Sequence, residues 1–293
     1  MHLPQFCDYL ELEKNYSVHT VAAYSRDVET FLGFIDDMEV AIGELHYDHV
    51  RTWMSELVES GLKARTVNRK ISSLSLYFDF LRQLGILQND PLALHTSLKT
   101  DKAIQLPFSK KEILQLLNSQ SFPADFNGLR DRLVIELLYA TGVRRDELIN
   151  LKLSAVDFNE NTIRVLGKRS KERIIPLMSS LKSLVSQYIE ERNALQYPLS
   201  GELLLTQRGK KLYPSLVYRV VKSYFSRVSS KVKISPHIIR HTFATHMLDE
   251  GADLNTVKEL LGHSSLASTQ VYTHMSMTAL KDAHKKAHPR SSK

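Results

Sequence analysis

Between Ser235 and His274 the run SPHIIRHTFATHMLDEGADLNTVKELLGHSSLASTQVYTH sets an arginine, several histidines and a tyrosine along helix-forming sequence. His237 and Arg240 stand three residues apart, so a helix opening at Ser235–Pro236 carries both on one face of its first turn. Free backbone amides in that turn already favour an anion, and a guanidinium among them makes the environment suitable for a phosphate. His263 follows directly on Gly262, and Tyr272 lies a short segment further on. Zinc is the competing chemistry for His237, His241 and His246, which also fall near helical spacing. No HExxH run accompanies them, and the single cysteine, Cys7, supplies no thiolate ligand set, so neither a metal nor another cofactor is expected.

These side chains need rigid elements behind them. Ser235 is the expected N-cap and Pro236 suits the first helical position, while Ile238, Ile239, Phe243, Met247 and Leu248 supply the apolar face. Asp253 before and Gly262 after bracket a second helix, and Ser264 and Ser265 can cap a third short one leading to Tyr272. Upstream, residues 128–140 (GLRDRLVIELLYA) are apolar enough to require burial, and Thr141–Gly142 stops that helix. Arg144 then emerges at a tight bend, where packing as a core leucine would does not explain it. Residues 162–166 and 173–177 are β-rich runs joined by GKRSKE, which reads as a hairpin with a basic, mobile tip at Lys168. Ser109 caps a helix from Lys110, residues 179–193 and 214–228 are helical, and ELLLT at 202–206 is expected to be a short strand.

The N-terminal part is patterned as helices at residues 6–14, 18–35 (with Ser17 as N-cap), 48–58 and 64–84, enough for a compact four-helix bundle. From residue 86 the pattern is lost through Asn89-Asp90-Pro91 and a polar basic stretch. The expected division is therefore 1–86, a linker at 87–106, and 107–293, giving a mainly α chain with a small antiparallel sheet.

The net charge of +7 and pI near 9.3 point weakly to a polyanion until the charge is located. Residues 1–98 hold 8 Lys/Arg against 14 Asp/Glu, whereas residues 99–293 hold 31 against 18, so the basic character belongs to the C-terminal part. Within the acidic part, Lys63, Arg65, Arg69 and Lys70 cluster at the start of the fourth helix with Thr66 and Asn68 between them, which marks the expected DNA-facing edge. One cysteine allows no intrachain disulfide, and neither a leader pattern nor a membrane-length apolar run is evident, so a soluble cytoplasmic protein is expected.

The order H-x-x-R, L-G-H and then Y in PHIIRHTFATHML…LGHSSLASTQVYTH resembles the C-terminal signature of the tyrosine recombinases, and most closely their Xer branch. The likeness spans nearly the whole chain. It implies a SAM-like N-terminal bundle and a catalytic domain clamped around duplex DNA, and it assigns six roles. Arg144 in ATGVRRDEL matches the first catalytic arginine and Lys168 in GKRSKER the hairpin lysine. His237 and Arg240 match the His-x-x-Arg pair, His263 the His/Trp position and Tyr272 the nucleophile. Arg145-Asp146 and Arg169-Ser170 depart from the common pattern beside catalytic positions. The resemblance further implies a 3′-phosphotyrosine intermediate, a Holliday junction and four protomers on DNA, identical or paired with a paralogous recombinase. It also implies a C-terminal segment from Met277 that docks on a neighbour, and for some members activation by a septal DNA translocase. Chromosome dimer resolution at a dif-like site is the expected role, with phage or mobile-element integration as the alternative. A type IB topoisomerase and a non-catalytic DNA-binding protein of the same fold are the rival classes.

Overall fold

The structure, a computed structural model, describes residues 2–100, 105–118, 121–167 and 172–262. Two compact units divide the chain, residues 1–103 and 104–293.

The first unit contains α1 (Leu3–Asp8), continued by a π-helical turn at Tyr9–Glu13, then α2 (Val18–Asp37), α3 (Tyr47–Glu59) and α4 (Ala64–Gln83). Ser17 caps α2 as expected, its Oγ accepting the Thr20 amide at 3.3 Å. Gly85, in the left-handed region, follows the end of α4. Helical spacing turns Val28, Phe31 and Ile35 of α2 and Leu74, Tyr77, Phe78 and Leu81 of α4 into one core, where Phe31 meets Trp53 and Phe78 edge-on. The stretch after α4 does not leave this unit at once. Leu87 and Leu92 are buried in its core, and the Asn68 side chain both donates to and accepts from the Leu98 backbone at 2.9 Å.

The second unit runs α5 (Lys110–Asn118), α6 (Phe126–Thr141), α7 (Arg145–Asn150), β1 (Val156–Asp157), β2 (Thr162–Leu166), β3 (Glu172–Pro176), α8 (Ser179–Asn193), α9 (Pro214–Phe225), α10 (Pro236–Asp249) and α11 (Leu254–Leu261). The sheet is antiparallel in the order β1-β2-β3, with Ile163 opposite Ile175 and Leu166 opposite Glu172. Ser109 and Glu112 cap α5 reciprocally, and α6 is buried on most of its circumference from Leu133 to Thr141. Two expectations fail here. The segment 202–206 forms only isolated bridges, Lys152 with Glu202 and Leu205 with Lys211, while Leu203, Leu204 and Leu205 are all buried in succession. Ser235 occupies the N-cap of α10 but its side chain makes no capping bond; its carbonyl takes the Ile238 and Ile239 amides instead. Among the described residues no helix is long and apolar enough to cross a membrane.

Candidate active site

α10 supplies His237 and Arg240 from its first turn, and its buried face of Ile238, Ile239, Phe243 and Met247 fixes the helix against α6 and α11. Arg240 is itself buried, at 7% exposure, so its charge has been taken out of water and must be satisfied by protein. It donates to the Gly142 carbonyl at 2.5 Å and to the Leu261 carbonyl at 2.7 Å. Gly142 ends α6 in the left-handed conformation, φ 60°, and a Cβ there would come within 2.5 Å of the Phe243 ring. Only glycine fits. The chain can therefore turn sharply enough for Arg144, two residues later, to stand at the N-cap of α7.

Arg144 is held by Glu147, whose Oε1 accepts its guanidinium at 2.7 Å and whose Oε2 accepts its amide at 2.8 Å. Its other terminal nitrogen donates to the Gly262 carbonyl at 3.2 Å. Arg173, from β3, completes the arrangement: Nε donates to the Leu260 carbonyl at 2.9 Å and the two terminal nitrogens grip Glu147 at 3.1 and 2.7 Å. Three guanidinium groups thus take the carbonyls of three consecutive residues at the end of α11. Those oxygens lack intrahelical donors and sit at the negative end of the helix dipole, so cations are favoured there twice over. α11 ends where the sequence indicated, between an Asp253 side chain that accepts two amides and a left-handed Gly262.

The electrostatics follow from this packing. Burial alone would raise the Glu147 carboxyl, but Arg173, the Arg144 amide and the Arg144 guanidinium together hold it down at about 2. Arg240 is lowered to about 10, first by burial and then by the charges of Arg144 and Arg173, so it stays protonated at neutral pH while sharing their field. His237 is exposed at the surface, yet the partial desolvation it does experience, followed by Arg240, His241 and Lys233, lowers its pKa below 6.5. The neutral ring can accept a proton. His246, one of the three histidines in the zinc reading, is a core residue hydrogen-bonded to the Tyr139 hydroxyl at 3.1 Å. Among the described residues no group of three or more His, Cys, Asp or Glu side chains could hold a metal ion.

Of the six residues singled out from the sequence, Arg144 and Arg240 come together on the end of α11, and His237 lies on the same first turn as Arg240. Lys168, His263 and Tyr272 lie outside the described residues, as does the segment from Met277. The arrangement sets two charged guanidinium groups side by side, a field suited to the charge of a phosphoryl group. Sequence reading missed Glu147 and Arg173. A Glu three residues after an N-terminal position is a capping signal that could have flagged Glu147, whereas an arginine beside a basic hairpin tip gives no sign of being buried.

At the other cluster, Lys63, Arg65 and Arg69 are exposed at the start of α4 and Lys70 is half-buried. Arg69 and Lys70 both bond the buried Asp27 of α2, Arg69 with a two-pronged grip and Lys70 at 3.2 Å, while Ser73 donates to the same carboxylate at 2.9 Å. Asp27 is pushed up by burial but held below its ordinary value by these donors.

The two units match known families. Residues 107–279 match the model of the phage integrase family and residues 3–85 that of the phage integrase N-terminal SAM-like domain. The chain belongs to the phage integrase family, the tyrosine recombinases. Within it the likeness runs to the Xer enzymes. The chain is 36% identical to tyrosine recombinase XerC of Chlorobaculum parvum, over 98% of this chain and 94% of that one. It is 37% identical to XerC of Bacillus pumilus, over 98% and 96%. The fold is that of XerH bound to its difH substrate (TM-score 0.70, 24% identity, 96% of this chain and 82% of that one). It is also that of a transposon integrase in complex with transposon right end DNA (TM-score 0.72, 20% identity, 96% of each chain). This chain is accordingly an enzyme, a tyrosine site-specific recombinase.

Proposed function

We propose that the enzyme cuts and rejoins duplex DNA through a 3′-phosphotyrosine at Tyr272, with Arg144, Lys168, His237, Arg240 and His263 as the rest of its catalytic set. The observation that carries this reading is the pair of arginines fastened to the end of α11, immediately before His263 in the chain. A phosphodiester repels nucleophiles, and its pentacoordinate transition state gathers further negative charge on the non-bridging oxygens. Arg144 and Arg240 meet that charge without a metal. Tyr272 loses its proton on attack, a neutral histidine such as His237 being able to take it, and Lys168 supplies a proton to the departing 5′ oxygen. Because tyrosine rather than water attacks, the ester's free energy is kept in the phosphotyrosine, and a 5′-hydroxyl of another strand displaces it without ATP. Lys63, Arg65, Arg69 and Lys70 form the DNA-facing edge of the N-terminal unit; the segment expected to be a linker from residue 87 begins inside that unit's core, with Leu87 and Leu92 buried there.

Kinship to XerC at 36–37% identity over nearly full length supports chromosome dimer resolution at a dif-like site in the cytoplasm, on the nucleoid. The working form is a tetramer of this chain, or of this chain with a paralogue, spanning two sites and passing through a Holliday junction. Incubation with a nicked suicide substrate tests the core of the reading. The wild-type protein is expected to form a covalent adduct and Tyr272→Phe to bind without one. Adduct formation by the Phe variant removes Tyr272 from its role. Crosslink mapping on the host chromosome tests the site: one focus near the replication terminus is expected, and enrichment at mobile-element ends would overturn it.

A further inference from the structure

Arg173 belongs to none of the six matched positions, yet it is the residue through which β3, α7 and α11 are joined. Its side chain is 11% exposed and all three guanidinium nitrogens are used within the protein. Resting on the recombinase reading, we infer that Arg173 is a positioning residue for DNA cleavage: its fork on Glu147 and its bond to the Leu260 carbonyl set where Arg144 stands and keep that arginine's charge available to the scissile phosphate.

The argument is one of charge and geometry. Glu147 carries one negative charge and is gripped by two guanidinium groups, so the trio retains a net positive charge at the α11 terminus. Without Arg173 the carboxylate keeps only Arg144 as a directly bonded cation, with the charge of Arg240 acting through space. Glu147 and Arg144 then form a closed ion pair, and the field that Arg144 offers a phosphate is largely cancelled. Geometry acts in the same direction. A carboxylate held by a two-pronged fork cannot rotate, so the Arg144 nitrogens bonded to it are fixed as well. Arg173 lies on β3, so its bonds tie that strand to the arginine array. A lysine at position 173 would keep the charge but could make neither the fork nor the simultaneous carbonyl bond.

The test uses full-length Arg173→Lys and Arg173→Ala, with single-turnover cleavage at saturating duplex, duplex affinity by fluorescence anisotropy, and two versions of the suicide substrate. One carries an ordinary scissile phosphate, the other a methylphosphonate, which lacks one anionic oxygen and demands less neutralisation. Arg173→Lys should bind duplex with wild-type affinity and cleave the phosphate about 100-fold more slowly, the usual consequence of a misplaced group. On the methylphosphonate its rate relative to wild type should recover. Normal cleavage of the phosphate by Arg173→Lys, an equal deficit on both substrates, or a loss confined to affinity would each overturn the inference. Should Arg173→Ala fail to fold, Arg173→Lys alone decides. If the wild-type protein itself traps no adduct, the recombinase reading fails first; a wild-type adduct with a fully active lysine variant sinks only the inference.

Discussion

Glu147→Gln probes the site's electrostatics with almost no change of shape. The carboxylate's pKa stands at about 2 against an ordinary 4.5, and each tenfold change in proton affinity is worth about 1.4 kcal/mol, so the ionised form contributes about 3 kcal/mol to folding. Glu147 is almost wholly buried and Arg173 nearly so, but Arg144 is 39% exposed, and water screens part of its share; the figure is therefore a ceiling. Because the folded pKa is the depressed one, this stability is complete above pH 4.5 and is lost as the pH falls toward 2. Urea unfolding followed by circular dichroism from pH 7 to pH 3 should show the variant weaker than wild type at neutrality by up to about 3 kcal/mol. The gap should narrow by more than half by pH 3 and close only toward pH 2. Other carboxylates, Glu112 and Glu202 among them, also have depressed pKa values, so the difference between the two proteins isolates Glu147. The single tryptophan, Trp53, lies in the N-terminal core, and its fluorescence transition serves as an internal reference. Parallel pH profiles for wild type and Glu147→Gln would refute the reasoning.

Gly142→Ala combines a left-handed backbone with a Cβ 2.5 Å from Phe243 and 2.8 Å from Leu261. It should cost about 1–3 kcal/mol in thermal unfolding and abolish cleavage, and an active, equally stable variant would contradict the account of the turn. With His237 lowered below 6.5, cleavage should hold at neutral pH and fall on acidification with a midpoint under 6.5, and His237→Ala should remove that limb from the rate profile. A midpoint above 6.5, or a limb that survives the substitution, argues against proton acceptance by this ring. Asp27→Ala leaves Arg69 and Lys70 without their buried counter-charge and should destabilise the N-terminal unit by about 3 kcal/mol, read from Trp53 fluorescence in urea. An unchanged midpoint would show that the carboxylate is not holding that face together.

Local signals were read well where one residue decides the backbone. Ser17, Ser109 and Asp253 open helices at the expected places, and Gly142 and Gly262 close them. Helical periodicity likewise located both cores, because a stripe of apolar residues has only one face to bury. What could not be read were pairings between residues distant in the chain. Asp27 meets Arg69 and Lys70 more than forty residues away, and nothing in the sequence around the two basic residues indicates a buried partner. Arg173 reads as the first residue of a β-rich run beside a basic tip, with no sign of burial, until the hairpin is folded against α7 and α11. The run LLL at 203–205 looks like a strand for the opposite reason: total burial erases the alternation that separates a paired strand from a tucked-in loop.

The atoms that fasten Arg144, Arg173 and Arg240 at the end of α11 are peptide oxygens, a feature shared by every residue type. The buried side chains of Leu260 and Leu261, packed with Phe243 and Met247, hold that turn in place, and bending the main chain displaces all three oxygens together. The arginine array is thus sensitive both to the packing of that turn and to its torsion. A mechanical twist transmitted along the polypeptide would move all three guanidinium groups simultaneously, without altering a single residue of the array.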